Sequence, residues 1–204
     1  MITSNNEIDE LKEKYLDIVA IKRIGTYKQI AEYKEKSVDE IKNKYQSINS
    51  FIASELKIEL NELKNLENSV LDKKNRIDKI FKNQFSGNDD RKEGFGSFED
   101  FYSEWYVKQN DQCYYCKTSY MILEQLFEEP NPKLKSAKFN ETLHIEQIVP
   151  KDGYRPENCR LACSLCNNAK SDLISKENYK KYFAGSMERF LSDLSTTNLK
   201  NETY

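Results

Sequence analysis

The sequence predicts an α+β protein that is mostly helical, with a helical arm followed by a small domain that metal-binding cysteines hold together. The first 86 residues contain no proline and one glycine, and their apolar residues recur at helical spacing. All five cysteines lie in the second half, where a strand-like segment follows short helices. Hydrophobic residues make up 38 % of the 204 residues and charged residues 32 %, so one large apolar core is not expected.

Residues 1–86 are predicted to form a long helical hairpin or coiled coil. Residues 6–36 give one helical stretch, broken near Gly25, and Ser37 with Glu40 indicates a capping box that opens a second helix. The apolar positions of that helix follow at steps of three and four: Val38, Ile41, Tyr45, Ile48, Ile52, Leu56, Leu60, Leu63, Leu66 and Val70. Because so long an apolar stripe needs a covering surface, we expect a homodimer or a protein partner through this arm, unless residues 6–36 fold back to cover the stripe in a monomer.

The rest of the chain divides into a linker and a second domain. Residues 87–97 hold three of the six glycines and are predicted to be the linker. Residues 98–204 form the second domain, which opens with an aromatic helix that leads to Cys113. The segments that follow are a helix at 119–129, a basic loop after Pro130, a strand at 143–149, a helix running past Lys170, and helices at 175–183 and 185–194.

The cysteine spacing indicates a structural zinc site. Cys113 and Cys116 form one Cys-x-x-Cys pair, and Cys163 and Cys166 form another. Four thiolates in two such pairs are typical of one tetrahedral zinc, although these pairs lie further apart than in a simple zinc ribbon. A redox pair is disfavoured because no βαβ pattern lies nearby. The fifth thiol, Cys159, is interpreted as a small buried apolar residue.

Charge and hydropathy exclude several classes of protein. Lys and Arg number 32 against 34 Asp and Glu, a net charge of −2, so bulk positive charge cannot carry nucleic-acid binding. No apolar run approaches the ~18 residues of a membrane span. The first residues lack the basic and apolar regions of a signal peptide. We therefore expect a soluble, cytoplasmic protein that does not bind membranes.

A cluster of polar residues surrounds the second cysteine pair. Glu146 lies on the predicted strand, Asn158 on the return strand, and Asn167 at the start of the helix that the cysteines hold. A hairpin crossed by a short helix could bring these positions around one ion. Carboxylate and amide oxygens suit Mg²⁺ or Mn²⁺, which would be a second ion, separate from the structural zinc.

These segments resemble the HNH endonucleases, the ββα-metal nucleases, in the subgroup with two Cys-x-x-Cys knuckles. The resemblance rests on Glu146-Gln147-Ile148-Val149-Pro150, on Asn158, and on Cys163-Ser164-Leu165-Cys166-Asn167-Asn168-Ala169-Lys170. It covers about residues 110–172 and leaves the N-terminal helices unexplained. It implies a small zinc-stapled ββα-metal domain with flanking helices, and a metal-dependent hydrolysis of phosphodiester bonds, with a role in restriction or phage defence.

One position departs from the family pattern. The family's general base is a His directly after the acidic ligand, and here that residue is Gln147, whose neutral amide cannot take a proton from water. Three explanations stay open: an engineered inactivating change, a natural Gln147 with His144 as base or extra ligand, or a silent site. His144 is the one histidine of the chain, and two residues before Glu146 it faces the same side of the strand.

The resemblance also implies a role for each of these residues. Glu146 and Asn167 would hold the catalytic Mg²⁺ or Mn²⁺, and Asn158 would position the base. Nucleic acid, with DNA favoured over RNA, would contact the basic residues Lys133, Lys135, Lys138, Lys151, Arg155, Arg160 and Lys170. The alternative function is a catalytically silent, zinc-stabilised module that binds nucleic acid or protein.

Overall fold

The computed structural model of the chain describes residues 5–128, 134 and 139–196. The described part is mostly helical and contains one small antiparallel sheet, which agrees with the predicted α+β class. It divides into two compact units, Met1–Gly87 and Asn88–Tyr204. Lys133, Lys135 and Lys138, with most of the predicted basic loop, lie outside the described residues. None of the helices in the described ranges has the length and hydrophobicity that a membrane crossing requires.

The described part of the first unit is built from short helices. The α-helices are α1 (Asn5–Leu16), α2 (Tyr27–Lys34), α3 (Val38–Lys44), α4 (Ile48–Leu56), α5 (Leu60–Ser69) and α6 (Leu71–Ile80). A π-helical turn, Asp17–Ile21, extends α1, and another, Phe81–Phe85, extends α6.

These helices are shorter than the sequence predicts. Ser37 and Glu40 do form the predicted capping box of α3, but that helix ends at Lys44 instead of continuing to Val70. Ser47 and Ser50 form a second box that opens α4, which ends where Lys57 adopts a left-handed backbone conformation with φ of 57°. The long helix is therefore divided by local side-chain caps, with no glycine or proline at the breaks.

The apolar stripe of residues 38–70 is nevertheless mostly buried inside the first unit. Ile41 and Leu63 are each 1 % exposed, and α1 packs against α4 and α5. The chain thus folds back and covers most of the stripe itself, although Leu60 stays exposed. The expected homodimer or partner through residues 1–86 loses the physical reason given for it, because most of the apolar surface is already covered.

The second unit carries the sheet. Its described α-helices are α7 (Asp89–Phe95), α8 (Tyr120–Phe127), α9 (Ser164–Lys170), α10 (Lys176–Tyr179) and α11 (Gly185–Thr196). Strands β1 (Leu143–Gln147) and β2 (Cys159–Cys163) pair antiparallel, with Glu146 opposite Arg160 and Gln147 opposite Cys159. Helix α9 follows β2 directly, so the chain forms a hairpin and then a helix. Two π-helical segments, Asp100–Tyr106 and Lys180–Ala184, and two 3-10 helices, Val107–Gln109 and Pro150–Asp152, complete the described helical segments of this unit.

Residues 89–95 form α7, where the sequence predicts a linker. The buried ring of Phe95 packs edge-on against Phe101 at 5.3 Å and lies 5.0 Å from Trp105, so the helix belongs to the aromatic core of the second unit. Gly94 lies against the backbone carbonyl of Tyr154, and a β-carbon at position 94 would collide with that oxygen. The glycine that suggested a linker is instead required by close backbone packing.

We expect Gly94→Ala to destabilise the protein by about 1–3 kcal/mol, because the methyl group must displace the Tyr154 backbone. Gly185→Ala is the matched control, since Gly185 begins α11 and no atom lies within 4 Å of its would-be β-carbon. The control should be neutral or stabilising, as alanine favours helices. Denaturant unfolding followed by circular dichroism measures both variants, and equal stabilities would contradict the packing role of Gly94.

Candidate metal centre and adjoining carboxylate site

Four cysteines meet in the second unit. Cys113, Cys116, Cys163 and Cys166 are all buried, and their Sγ atoms lie within 4.8 Å of one another. The Sγ atoms of Cys116 and Cys163 are 3.8 Å apart. A tetrahedral zinc with Zn–S bonds of about 2.3 Å separates its sulfur atoms by roughly 3.8 Å. The predicted thiol cluster therefore has the residue types and the spacing of a structural zinc site.

Local backbone structure brings each pair to the cluster. Cys113 donates its amide to the carbonyl of Thr118 and accepts at its own carbonyl from Lys117, which closes a tight turn around the first pair. Cys163 is the N-cap of α9, and its Sγ accepts from the amide of Cys166 at 3.4 Å. Hydrogen bonding within the cluster, first from Cys113, lowers the pKa of Cys116.

Cys159 stays outside this cluster. It is fully buried on β2, opposite Gln147. Burial raises the pKa of its thiol to about 11, so the group is neutral and unreactive near pH 7. This environment fits the apolar packing role expected for the fifth cysteine.

Glu146 is a buried carboxylate with a cationic partner. Its Oε1 lies 2.8 Å from the ammonium nitrogen of Lys170 and accepts a hydrogen bond of 3.1 Å from the hydroxyl of Tyr115. The Glu146 and Lys170 side chains are only 7 % and 4 % exposed. Among the described residues, nothing hydrogen-bonds to the second oxygen, Oε2, which is also buried. A buried carboxylate oxygen in this state is costly unless water or a cation satisfies it.

Desolvation raises the pKa of Glu146, while the hydrogen bond and charge of Lys170 act against that rise. Burial, together with the negative charge of Glu146, raises the pKa of Tyr115, so its hydroxyl stays protonated and keeps donating. Tyr115 lies between the two cysteines of the first pair, so the thiol cluster also fixes the group that orients Glu146.

Glu146 and Asn167, the two predicted ligands, can be compared with the requirements of Mg²⁺ or Mn²⁺. Asn167 lies on α9, which packs against β1, and is partly exposed. Oε2 of Glu146 and the amide oxygen of Asn167 are the kinds of ligand these ions accept, and Mg²⁺ commonly keeps several waters beside one or two protein ligands. The ammonium of Lys170 opposes a second cation on the same carboxylate, so the site is only partly suited to such an ion.

Asn158 acts on the loop that follows Gln147. Its Oδ1 accepts from the amide of Val149 at 3.0 Å, and its Nδ2 donates to the carbonyls of Val149 and Gly153. Its backbone carbonyl also accepts from Ile148. Since both amide hydrogens are used in the loop, Asn158 is a positioning residue for the strand end and has no donor left for a substrate.

Gln147 and His144 lie on β1 on opposite faces of the strand, since they are three residues apart. His144 faces the same side as Glu146, as predicted, and is partly buried opposite Ala162. Burial, followed by the positive charge of Arg91, lowers the pKa of His144, so its imidazole is neutral at pH 7 and can accept a proton.

The described basic residues that were predicted to contact nucleic acid occupy three settings. Arg160 is partly buried, and its guanidinium donates to the backbone carbonyls of Pro156, Glu157 and Cys159. Lys151 and Arg155 are exposed beside a cleft of about 670 Å³ that also contains the acidic Asp90 and Glu93. Lys170 is 3 % exposed and bound to Glu146, so it cannot reach a phosphate, and its predicted contact with nucleic acid is replaced by an internal ion pair. Sequence reasoning missed Tyr115, because nothing in the spacing distinguishes a tyrosine inside a cysteine pair from a packing residue.

We expect the purified chain to hold one zinc on the four clustered cysteines. Structural zinc contributes on the order of 10 kcal/mol to folding, so Cys113→Ser should unfold residues 98–204, whereas Cys159→Ser should be mild. Metal analysis and thermal unfolding of both variants provide the measurement. A zinc-free native protein, or equal stabilities of the two variants, would contradict this assignment.

We also expect Lys170→Met to cost about 3–5 kcal/mol, because it leaves the Glu146 charge buried and unpaired. The exposed Lys151→Met is the matched control and should change stability little. The double variant Glu146→Gln with Lys170→Met should recover most of the loss, since it removes both charges. Denaturant unfolding of the unmodified chain, the two single variants and the double variant measures these changes in stability. If Lys170→Met leaves the stability unchanged, the ion pair is not needed for folding.

No protein-family model, curated protein or solved structure matches this chain. The resemblance to HNH endonucleases therefore stays a prediction that the motif residues carry.

Proposed function

We propose that this chain is built as a metal-dependent endonuclease of the HNH type, which hydrolyses phosphodiester bonds of nucleic acid, with DNA as the expected substrate. One observation supports this most directly. A hairpin and helix fastened by four cysteines hold Glu146 with one buried carboxylate oxygen that no described group satisfies. A role in restriction or phage defence follows from the motif resemblance alone.

In this proposal Glu146 and Asn167 hold Mg²⁺ or Mn²⁺. When bound, such an ion supplies Lewis-acid stabilisation of the phosphate and of the leaving oxygen. Tyr115 and Lys170 hold the carboxylate of Glu146 in one orientation through its Oε1. Asn158 fixes the end of β1, so the residue at position 147 is presented from a rigid strand end.

The sequence has no proton-accepting side chain at position 147. An amide takes no proton from water near pH 7, so Gln147 can only position water through hydrogen bonds. The neutral His144 is the rival base, since it faces the same side of β1 as Glu146.

A second function, the silent zinc-stabilised binding module, is favoured by a specific observation. Lys170 already compensates the charge of Glu146 at 2.8 Å, as expected of a carboxylate that serves the fold. If Lys170 supplies the positive charge beside Glu146 and Gln147 accepts no proton, the site contains neither a catalytic ion nor a general base at position 147.

We expect Gln147→His to raise cleavage of supercoiled plasmid by about 10²–10⁴-fold in Mg²⁺ or Mn²⁺, because it restores a general base. Asn167→Ala in that background should abolish the gain by removing a metal ligand, while the zinc content stays unchanged. Conversion of supercoiled to nicked and linear DNA on gels is the measurement. RNA of matched sequence tests the substrate preference.

Two outcomes would overturn this assignment of roles. If the unmodified chain cuts fully and His144→Ala stops it, His144 is the base and position 147 is not. If Gln147→His stays inactive on both DNA and RNA with either metal, the silent binding module is the correct reading.

A further inference from the structure

A cationic cluster surrounds Tyr114, on a part of the second unit that the carboxylate site does not use. The ammonium nitrogen of Lys180 lies 3.5 Å from the centre of the Tyr114 ring, and that of Lys117 lies 5.3 Å from it. The guanidinium carbon of Arg160 is 5.7 Å from the same centre. Three positive side chains from separate segments therefore converge on one aromatic ring.

The structure holds this ring in place. Tyr114 lies inside the first cysteine pair, and its amide donates to the carbonyl of Leu161 on β2 at 2.7 Å. The neighbouring Tyr115 ring packs edge-on against Tyr179 at 5.1 Å, which ties the segment bearing Lys180 to the same cysteine turn. The ring is thus anchored to β2, and the segment that carries Lys180 packs against the same cysteine turn.

The positive charges of this cluster outnumber the carboxylates close to it, of which Glu177 interacts electrostatically with Lys180 as well as with Lys176. Within the described ranges, no ion pair joins Lys117, Arg160 or Lys180 to an acidic side chain, whereas the adjacent Lys176 pairs with Glu177 at 3.4 Å. Lys117 and Lys180 are exposed to solvent.

Three cationic side chains close together are not expected from the overall composition of a chain whose net charge is −2. Cation–π contact with one ring offsets part of the repulsion between like charges but leaves the potential of the surface positive. An anion that reaches all three side chains would relieve the repulsion and gain hydrogen bonds from each of them.

We propose that Lys117, Arg160 and Lys180, gathered around Tyr114, form a surface that binds the phosphate backbone of nucleic acid. The choice of nucleic acid over other polyanions rests on the proposed function, whereas the anion-binding character rests on the geometry alone. The contacts are to phosphate, so binding is independent of base sequence and falls steeply with salt.

Fluorescence anisotropy with a labelled 20-base-pair DNA duplex tests this surface, using the zinc-loaded full chain in buffer without Mg²⁺ or Mn²⁺. The variant Lys117→Glu with Lys180→Glu should weaken binding at least tenfold and reduce the slope of log affinity against log salt by about 1.8. The matched control, Lys92→Glu with Lys108→Glu, changes two exposed lysines of the same unit by the same charge and should bind like the unmodified chain. Zinc content and thermal unfolding verify that both variants are folded.

Equal affinities of the two double variants, or no binding by the unmodified chain at low salt, would overturn the proposal. Competition by poly-glutamate as strong as that of DNA at equal charge would also overturn it, in favour of an acidic protein partner. The anisotropy assay measures binding and not cleavage, so its outcome is separate from that of the plasmid assay. If the Gln147→His protein binds DNA but does not cleave it, the nuclease proposal fails and the proposal of this phosphate-binding surface stands.

Discussion

The meeting of four thiols is the constraint on which the second unit depends. Cys113 and Cys116 close a tight turn far along the chain from Cys163 and Cys166, which end β2 and begin α9. A sheet of two short strands is too small to be stable by itself, and the four thiols bring it together with a helix and a second chain segment. This thiol cluster lies where the hairpin, α9 and the turn that carries Tyr114 and Tyr115 meet.

The same junction explains why a carboxylate can be buried beside it. Taking Glu146 and Lys170 out of water costs several kcal/mol per charge, and their attraction offsets this only when both are held in good geometry. Tyr115 from the cysteine turn and Lys170 from α9 converge on one oxygen of Glu146, which leaves the other oxygen unsatisfied by any described group. The proposed binding of a second cation rests on this unsatisfied oxygen.

The first unit reaches stability by a different route. Its helices are capped by side chains such as Ser37 and Ser47, and joined by turns at which Glu35 and Lys57 adopt left-handed conformations. Arg23 to Asp78 at 2.9 Å and Lys34 to Glu55 at 2.6 Å are ion pairs that link residues distant in the chain. Such partly exposed pairs contribute little each, so the buried stripe carries most of the stability.

The sequence by itself determined the mostly helical α+β class, the four thiols that come together, the hairpin of β1 and β2, and the capping box of Ser37. The capping box follows from a local pattern that acts over a few residues, whereas the meeting of the two distant cysteine pairs follows from the number of thiolates that one zinc ion needs. Most positions of the stripe were also correct, because burial follows periodicity even where a helix is interrupted, although Leu60 is exposed. Only the tertiary structure decided that this stripe is covered by α1 and that α7 replaces a linker. It also assigned Lys170 to Glu146 instead of to a phosphate. Those outcomes depend on which distant segments meet, as Gly94 meets the carbonyl of Tyr154, and no local pattern in the chain encodes that contact.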